Sequence, residues 1–574
     1  MTRDVLFEAA APCYWSKVIS LAFRPALSAS LGNYRKTDFL KDLGAGITVG
    51  IIALPLAIGF AIASGVSPQQ GLWTAIVAGA IVAALGGSQF QIAGPTGAFV
   101  PVLAAIVAQH GYAGLAIATF MAGAMLVAMG LFKLGALLKF IPYPVTAGFT
   151  TGIATIIFIG QLNEGLGLGM KMPEHTPQQV FAIGSHLANI NWYAFALCAM
   201  SALIIFQLPR LTKKIPPSIV AVVATTAIAM WFKWPVSTVA SKFGAIPAGL
   251  PGLHLPEISL GNIRDLMGAA FTIAALGSIE SLLSASVADG MADTRHDSNQ
   301  ELIGQGVANL VSPLFGGIAA TGAIARTAAN IRSGARSPVS ALVHSVVLLL
   351  VALIAAPYAG YIPLSALCGV LITVAIRMAE WEDFHSLWKL HRTDFFVMLA
   401  AFTLTVVFDL TIGVAAGLLM AFVMFVRRME EISHVQILTP ENDPETEGSF
   451  SLRGKTVPPG VLLFRFHGPM FFAAADKLEH ALRSSGGEPR VVVFRMRYVP
   501  AMDSTAVQAF ESAVEKLLRD KIVVLVSGIQ PQPMSALFKA GVVDLIGIEN
   551  FCGNIDEALR RSRELVSSPE LVNT

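Results

Sequence analysis

The sequence predicts a polytopic α-helical membrane protein followed by a soluble α/β domain, and three observations support this fold class. Of its 574 residues, 54% are hydrophobic and only 13% are charged, whereas about a quarter of residues are charged in soluble proteins. Two short polar islands, residues 86–97 and 316–327, interrupt lipid-like sequence at corresponding points. After Arg428 the long apolar segments stop, and strand-like runs alternate with helix-like runs.

Apolar runs of spanning or half-spanning length predict about fourteen membrane segments embedded in a lipid bilayer. Several are shorter than the roughly 20 residues that a full crossing needs. We expect these to be broken or half helices, because neighbouring protein must satisfy their free backbone groups. The runs lie at 43–64, 70–86, 95–109, 113–132, 145–163, 192–208, 217–234, 265–288, 302–315, 323–335, 338–358, 363–378, 394–409 and 411–427.

Lysine and arginine residues cluster at the flanks of these runs, and the positive-inside rule places such flanks in the cytoplasm. Both ends of the membrane region carry such clusters, so both termini are expected to be cytoplasmic. We therefore predict an N-terminal cytoplasmic segment, 1–40, and a transmembrane domain, 41–429. The clusters are Arg24, Arg35, Lys36 and Lys41; Lys133 and Lys139; Arg210, Lys213 and Lys214; and Arg427 and Arg428.

The sequence beyond the last apolar run predicts a linker and a second domain. The acidic stretch 430–448, with Pro440 and Pro444, indicates a linker that extends over 430–458. Residues 459–570 are then expected to form a soluble α/β layer. Its predicted strands are 461–466, 491–494 and 522–526, and its predicted helices are 476–483, 504–519 and 534–540.

The two polar islands indicate an intramembrane binding site. The preceding residues align at one constant offset, for example Leu72 with Leu302 and Gly86 with Gly316, which indicates an internal duplication. Interrupted segments at corresponding places in two repeats indicate the substrate site of a secondary transporter, although ordinary glycine kinks remain an alternative. We expect Pro95 in the first turn of one half helix and two half-helix starts that face each other. These starts are Thr96, Gly97 and Ala98, and Ala325, Arg326 and Thr327.

Glu280 and Arg326 are the exceptional charges within the membrane segments. An ionisable residue at the centre of a membrane helix costs about 2.5–3.5 kcal/mol, so it usually faces a cavity or a partner. With about half a positive charge from each helix start, the site holds about +1 when Glu280 is ionised and about +2 when it is protonated. Anion binding and proton uptake are therefore expected to be coupled. The alternative is a structural salt bridge that locks two helices.

Other residues have weaker indications. Phe60, which follows the helix-interrupting Pro55, is expected either to shape the cavity wall or to pack between helices. Ser281 and Ser284 flank Glu280 and are expected to provide polar lining. The net charge of +2 does not suggest a nucleic-acid partner, and no metal site or cofactor is expected. The cysteines have no metal or redox spacing and are interpreted as packing residues: Cys13, Cys198, Cys368 and Cys552.

Four motifs together resemble the sulfate permease family of anion transporters, also called solute-carrier family 26, along essentially the whole chain. They are residues 42–50 (DLGAGITVG), 94–96 (GPT), 299–306 (NQELIGQG) and 325–330 (ARTAAN). The resemblance implies two inverted seven-segment repeats that form core and gate domains. It further implies a substrate held between the third and tenth segments, elevator-like motion and a homodimer.

The resemblance also implies that the tail is a STAS domain, which is open to protein partners, with Asp503 and Ser504 in its Asp-Ser loop. In STAS relatives that regulate sigma factors, this serine is phosphorylated. Because Ser504 opens an amphipathic helix here, we expect it to serve as the helix N-cap instead.

Within the family, residues 277–283 (GSIESLL) and 323–330 (AIARTAAN) look like the bacterial dicarboxylate branch. This implies a C4-dicarboxylate substrate, such as succinate, and a bacterial inner membrane. Sodium-coupled bicarbonate carriers of the family build a cation site from oxygen ligands, whereas Ile324 supplies no oxygen and Arg326 would repel sodium. Coupling to protons is therefore favoured over coupling to sodium. Leu56 stands where many members have glutamine, which removes one polar contact.

The leading expectation is therefore a proton-coupled secondary transporter of a C4-dicarboxylate or sulfate, and not an enzyme. A bicarbonate transporter or an anion exchanger is the first alternative, and it would not need Glu280 to change protonation. A nucleobase transporter is disfavoured by Arg326, because such sites bind a neutral ring through carboxylates. A membrane-anchored signalling protein, in which the STAS tail carries the function, is disfavoured by the intact duplicated islands.

Overall fold

The computed structural model describes residues 24–32, 34–136, 142–173, 175–212, 215–244, 252–253, 260–390, 392–408, 410–432, 434–439, 452, 455–471 and 489–567. The chain divides into two compact units between Leu419 and Met420. Several sequence predictions lie outside the described residues. They are most of the linker, the helix at 476–483, residues 1–23, Lys139, Lys213 and Lys214. The domain boundaries at 40, 429 and 458 stay predictions.

Among its described residues, the first half of the membrane unit consists of helices, their connections and one two-residue strand. Its elements are α1 (Ala26–Leu31), α2 (Lys36–Ala63), α3 (Pro68–Leu85), β1 (Ala93–Gly94), α4 (Val100–Leu131), α5 (Tyr143–Leu166), α6 (Thr176–His186), α7 (Trp192–Leu211), α8 (Pro217–Trp231) and α9 (Val239–Phe243). Gly111, with φ of 67° and ψ of −174°, breaks α4 into two helices. The break separates the predicted segments 95–109 and 113–132.

The second half has a similar order: its two-residue strand lies between its second and third helices, whereas β1 lies between the third and fourth helices of the first half. The elements are α10 (Leu260–Ala292), α11 (Ser298–Val311), β2 (Thr321–Gly322), α12 (Ile324–Arg332), α13 (Val339–Ala359), α14 (Leu364–Met378), α15 (Trp381–Leu390), α16 (Arg392–Val407) and α17 (Leu410–Ile432). Among the described residues, seven helices are long and apolar enough to cross a membrane. Others are short as predicted, since α12 has only 9 residues. The predicted fold class is confirmed.

Two helix bundles form most of the membrane unit. The first bundle contains α2, α3, α4 and α10 to α13, and the second contains α5, α7, α8, α14 and α16. In the first bundle, α4 and α11 approach to backbone contact, because a Cβ at Gly123 would lie 2.6 Å from the Leu310 nitrogen. Small residues allow such close packing in membranes, where no hydrophobic force drives helices together. The bundles meet in an apolar cluster that includes Phe60, Ile157 and Leu371.

The second unit contains an α/β layer. Its strands β3 (His434–Ile437), β4 (Val461–His467), β5 (Val491–Tyr498), β6 (Val523–Ser527) and β7 (Phe551–Cys552) form one sheet in sequential order. The β3–β4 pair is antiparallel and the other pairs are parallel. Phe464, Phe494 and Phe510 pack in its core. The described helices are α18 (Ser504–Arg519), α19 (Pro531–Lys539), α20 (Val542–Ile546) and α21 (Ile555–Ser567).

The predicted N-cap of α18 is wrong by one residue. Asp503 has extended backbone angles, φ −89° and ψ 176°, and its carboxylate accepts a hydrogen bond of 2.8 Å from the Ala506 nitrogen. Ser504 is the first helical residue, and its side chain is exposed. The N-cap side chain must reach the free N–H groups of the first turn, and at this loop the carboxylate one position earlier does so.

Candidate anion-binding site

The two polar islands cross in the middle of the first bundle. Strand β1 pairs with β2 in antiparallel register, so that Ala93 lies opposite Gly322 and Gly94 opposite Thr321. All four residues are buried. The duplication predicted that the islands correspond, and the structure shows that they are in direct contact.

The crossing requires glycine at two positions, because other side chains occupy the space that a Cβ atom would fill. A Cβ at Gly322 would lie 2.1 Å from the Gln91 Nε2 atom. A Cβ at Gly94 would lie 2.9 Å from the Arg326 Nη1 atom. The guanidinium therefore reaches across from α12 to the backbone of the first island.

Arg326 is in the first turn of α12, whose N-cap is Ala323, and its side chain is only 2% exposed. Its Nη2 donates a short hydrogen bond to the Pro95 carbonyl. Its Nη1 is buried and has no hydrogen-bond partner among the described residues. A buried, unpaired donor on a charged group costs about 1–3 kcal/mol or more, and a ligand that accepts from it recovers that cost. Arg326 therefore offers a charged N–H group to an anion.

Glu280, on α10, binds Thr96, the residue that follows Pro95 in the first island. Its Oε2 accepts a hydrogen bond of 2.9 Å from the Thr96 hydroxyl. Within the part of the chain that the structure describes, neither Glu280 nor Arg326 forms an ion pair within 4.0 Å. The structure therefore does not show the salt-bridge alternative. The two charges instead hold two consecutive residues of the first island.

The expected helix start at Pro95 and Thr96 is wrong. The helix α4 begins at Val100, and the Val100 nitrogen donates to the Gly97 carbonyl in the turn before it. The Pro95 carbonyl accepts from Arg326, so it is not part of a helical ladder. Pairing of β1 with β2 keeps the chain extended, and the helix begins only after this constraint ends. The second half helix begins where it was predicted.

Phe60, Gly97 and Ala98 lie together at the boundary between the bundles. Phe60 is 5% exposed, and a Cβ at Gly97 would lie 3.4 Å from the Phe60 Cε1 atom. The same Cβ would lie 3.3 Å from Ile157 Cδ1 of the second bundle. Ala98 is buried beside them. Ala325 lies on an exposed face of α12.

The hydroxyl groups of three predicted site residues form hydrogen bonds with the islands. The Thr327 hydroxyl accepts from the Ile92 nitrogen at 3.0 Å and from Ser284 at 3.2 Å. Ser281 lies 2.8 Å from the Thr321 hydroxyl, and it accepts from the Gly322 nitrogen at 3.2 Å. Thr327, Ser281 and Ser284 have no exposed surface. Their hydroxyls tie α10 and α12 to the crossing.

Two buried carboxylates were not among the predicted site residues. Asp42, on α2 of the first repeat, accepts from the Ser337 hydroxyl at 2.6 Å and from Tyr34 at 2.7 Å. Burial, and then the hydrogen bond to Asp42, raise the pKa of Tyr34 to about 12, which keeps its hydroxyl a donor. Glu301, on α11 of the second repeat, is bound to the first island. Both residues could have been recognised from the sequence, because each is a carboxylate within one of the family motifs, 42–50 and 299–306.

The structure brings two of the cysteines together without forming a metal site. Cys198 and Cys368 have their sulfur atoms 3.6 Å apart, although they are distant in the sequence. Both are buried and free. Among the described residues, no group of three or more His, Cys, Asp or Glu side chains is placed to bind a metal ion.

Comparison with known proteins matches both units. Residues 39–401 match the sequence model of the sulfate permease family, and residues 454–558 match that of the STAS domain. A putative sulfate transporter of Bacillus subtilis is 43% identical over 533 residues, which cover 92% of this chain and 99% of that protein. A bicarbonate transporter of Picosynechococcus sp. is 33% identical over 543 residues, covering 91% and 94%. Both relatives are named as transporters and not as enzymes.

Solved structures share the fold. The transmembrane domain of a cyanobacterial bicarbonate transporter is 34% identical, with a TM-score of 0.61, and the match covers 68% of this chain and 98% of that one. The murine solute carrier 26 family member A9 anion transporter, in the inward-facing state, has a TM-score of 0.84 at 18% identity. That match covers 97% of this chain and 96% of the murine one.

Proposed function

The chain belongs to the sulfate permease family of anion transporters, and from this premise we propose that it binds its anion where the two polar islands cross. The observation that carries this proposal is the buried Nη1 of Arg326, which has no partner among the described residues. An anion oxygen at this position accepts the hydrogen bond that the protein leaves unmade. The first turn of α12 adds about half a positive charge at the same place.

Glu280 is the proposed proton acceptor. Its carboxylate binds Thr96, while Arg326 binds the carbonyl of Pro95, so both charges act on adjacent residues. Protonation of Glu280 removes one negative charge from beside the anion. The site then binds an anion more tightly than when Glu280 is ionised, and the gain in affinity is largest for a dianion. This supports proton–anion symport over exchange, in which Glu280 keeps one protonation state.

Sulfate and bicarbonate are the substrates that the relatives favour, since those two anions appear in the relatives' names. A C4-dicarboxylate stays a prediction from the residues 277–283 and 323–330, and no relative reported above is named for it. All three are oxyanions whose oxygens suit a guanidinium donor. Sodium coupling is disfavoured, because a sodium ion beside Arg326 would be repelled.

Movement of the first bundle against the second is the proposed route across the membrane. The site residues lie in the first bundle, and Phe60 and Gly97 meet Ile157 of the second bundle at the boundary. A sliding boundary would carry the crossing with its anion. Cytoplasmic termini and a homodimer belong to the same proposal, and accessibility labelling and mass photometry test them.

Uptake into proteoliposomes tests the proposed function. Labelled sulfate, bicarbonate and succinate are offered separately, each with no gradient, with a proton gradient, with a sodium gradient or with an unlabelled anion inside the vesicles. We expect uptake of at least one anion to increase under an inward proton gradient and not under a sodium gradient. Absence of uptake for all three overturns the assignment, while uptake that depends on a counter-anion alone supports exchange. A chain ending at Arg428 shows whether transport needs the STAS domain.

A further inference from the structure

Glu301 is a fully buried carboxylate. None of its hydrogen bonds is to Glu280 or Arg326. Its Oε2 accepts hydrogen bonds from the Gly87 nitrogen at 2.9 Å and the Ser88 nitrogen at 3.1 Å. Its Oε1 accepts from Gln91 Nε2 at 2.8 Å and from Gln305 Nε2 at 3.1 Å. One side chain of the second repeat thus binds three residues of the first island.

All four groups that Glu301 binds are neutral donors. Within the described residues, no lysine or arginine nitrogen lies within 4.0 Å of it. Only a carboxylate offers acceptors on both oxygens, since an amide of the same shape must turn its NH₂ group towards two of the donors. Buried donors that lose their acceptor cost about 1–3 kcal/mol each. The identity of this side chain is therefore tied to the conformation of the first island.

Gln91 connects Glu301 to the crossing itself. The Gln91 amide occupies the space where a Cβ of Gly322 would lie, and Glu301 holds that amide in place. Gly322 is paired with Ala93, the residue before Gly94 and Pro95. The chain beyond β2 continues directly to Ala323 and the first turn of α12, which carries Arg326. Gln91 therefore links Glu301 to both strands of the crossing.

We propose that Glu301 is a positioning residue for the anion site. It fixes the crossing of β1 and β2, and with it the spacing between the Pro95 carbonyl and the Arg326 guanidinium, without touching the anion. This inference rests on the proposed function, because it takes the crossing to be the place where the anion binds. Binding sites require their polar groups to be held within about 0.5 Å, which is why a supporting carboxylate controls affinity.

An exchange of functional groups between Glu301 and Gln91 tests the proposal. Glu301→Gln alone turns an NH₂ group towards the Gln91 and Gln305 amides, which must both rotate to accept from it, and Gln91→Glu alone places two carboxylates together. The double variant restores a carboxylate–amide pair: the amide oxygen at position 301 accepts from Gly87 and Ser88, its NH₂ group donates to the carboxylate at position 91, and only the Gln305 amide has to rotate. We expect Glu301→Gln to raise the KM for sulfate or bicarbonate about tenfold with little change in maximal rate, and the double variant to recover most of it.

Hydrogen–deuterium exchange of residues 87–92 is measured on the same proteins. Glu301→Gln should accelerate exchange there, and the double variant should slow it again. Glu382→Gln, an exposed carboxylate on α15, is the matched control and should alter neither quantity. An unchanged KM in Glu301→Gln, or a double variant no better than it, overturns the proposal. If the wild-type protein transports none of the anions, the proposed function fails, while the exchange data still report whether Glu301 holds the first island.

Discussion

Thr96 and Glu280 are joined by a hydrogen bond of 2.9 Å that links the first polar island to α10. The residue before Thr96, Pro95, accepts a hydrogen bond from Arg326. An acid and a base from the second repeat therefore hold neighbouring residues of the first repeat, and they do not neutralise each other directly. Thr96 and Pro95 therefore connect the Glu280 carboxylate to the Arg326 guanidinium through two adjacent residues.

Replacement of Glu280 by glutamine should uncouple transport from the proton gradient. The glutamine oxygen still accepts from Thr96, so the geometry is kept while the titratable group is lost. We expect the stimulation of uptake by a proton gradient to disappear. Uptake by proteoliposomes at fixed internal pH measures this. If Glu280→Gln retains the full response to the gradient, Glu280 does not carry the proton.

Replacement of Arg326 by lysine should weaken anion binding. Lysine keeps the charge but lacks the planar fork that holds the Pro95 carbonyl with one nitrogen and leaves another for the anion. The loss of one charged hydrogen bond is about 1.5–3 kcal/mol, which is about a ten- to hundredfold increase in Kd. Isothermal titration with the transported anion measures it. Arg332→Lys, at the exposed end of the same helix, is the control, and an equal effect there would contradict the assignment.

Replacement of Gly123 by alanine should destabilise the first bundle. The new Cβ would lie 2.6 Å from the Leu310 nitrogen and 2.8 Å from the Gly306 carbonyl oxygen, both backbone atoms that cannot turn away. We expect a loss of about 1–3 kcal/mol from overpacking, measured as a lower melting temperature in detergent. Gly160→Ala, where a Cβ meets nothing within 4 Å, should leave the melting temperature unchanged or slightly raised. Equal melting temperatures for the two variants would contradict the close approach of α4 and α11.

Replacement of Asp503 by alanine should loosen the first turn of α18, whereas Ser504→Ala should not. Asp503 provides the N-cap hydrogen bond to Ala506, and its loss costs about 0.5–2 kcal/mol. Ser504 is exposed in the first helical position. Hydrogen–deuterium exchange over residues 504–508 of the full-length protein compares the two variants. Faster exchange in Ser504→Ala than in Asp503→Ala would restore the serine as the cap.

The sequence predicted the membrane segments well, because hydropathy alone decides where apolar helices lie. The segments at 95–109 and 113–132 were predicted as separate helices, and the break at Gly111 separates them. Three strands of the α/β layer were predicted, whereas β3 and β7 were not, because strands of 4 and 2 residues are too short for a periodic pattern.

The contact between Cys198 and Cys368 could not be predicted from their spacing in the sequence. Their sulfur atoms lie 3.6 Å apart because the two helices that carry them, from different halves of the chain, pack together.

The residue types of the candidate site were recognisable from the sequence, and the contacts between those residues were not. Arg326, Glu280 and the two islands were recognisable because charge and glycine are rare inside apolar segments. That Pro95 precedes the helix and is bound to Arg326 was not recognisable, because a proline typical of a first turn carries no information about strand pairing elsewhere. Ser281, Ser284 and Thr327 were expected beside the anion or along the lining, and the hydrogen bonds by which they hold the crossing were not recognisable from the sequence.

The sequence by itself determined the membrane location, the duplication, the α/β tail and the presence of one basic and one acidic group beside the islands. These follow from hydropathy and from local pattern, which act over a few residues. Only the tertiary structure decided that the islands cross, that Glu280 and Arg326 hold adjacent residues, and that Glu301 binds Gly87, Ser88 and Gln91. Those contacts join residues far apart in the chain, and they form because buried polar groups must find partners once both repeats have packed.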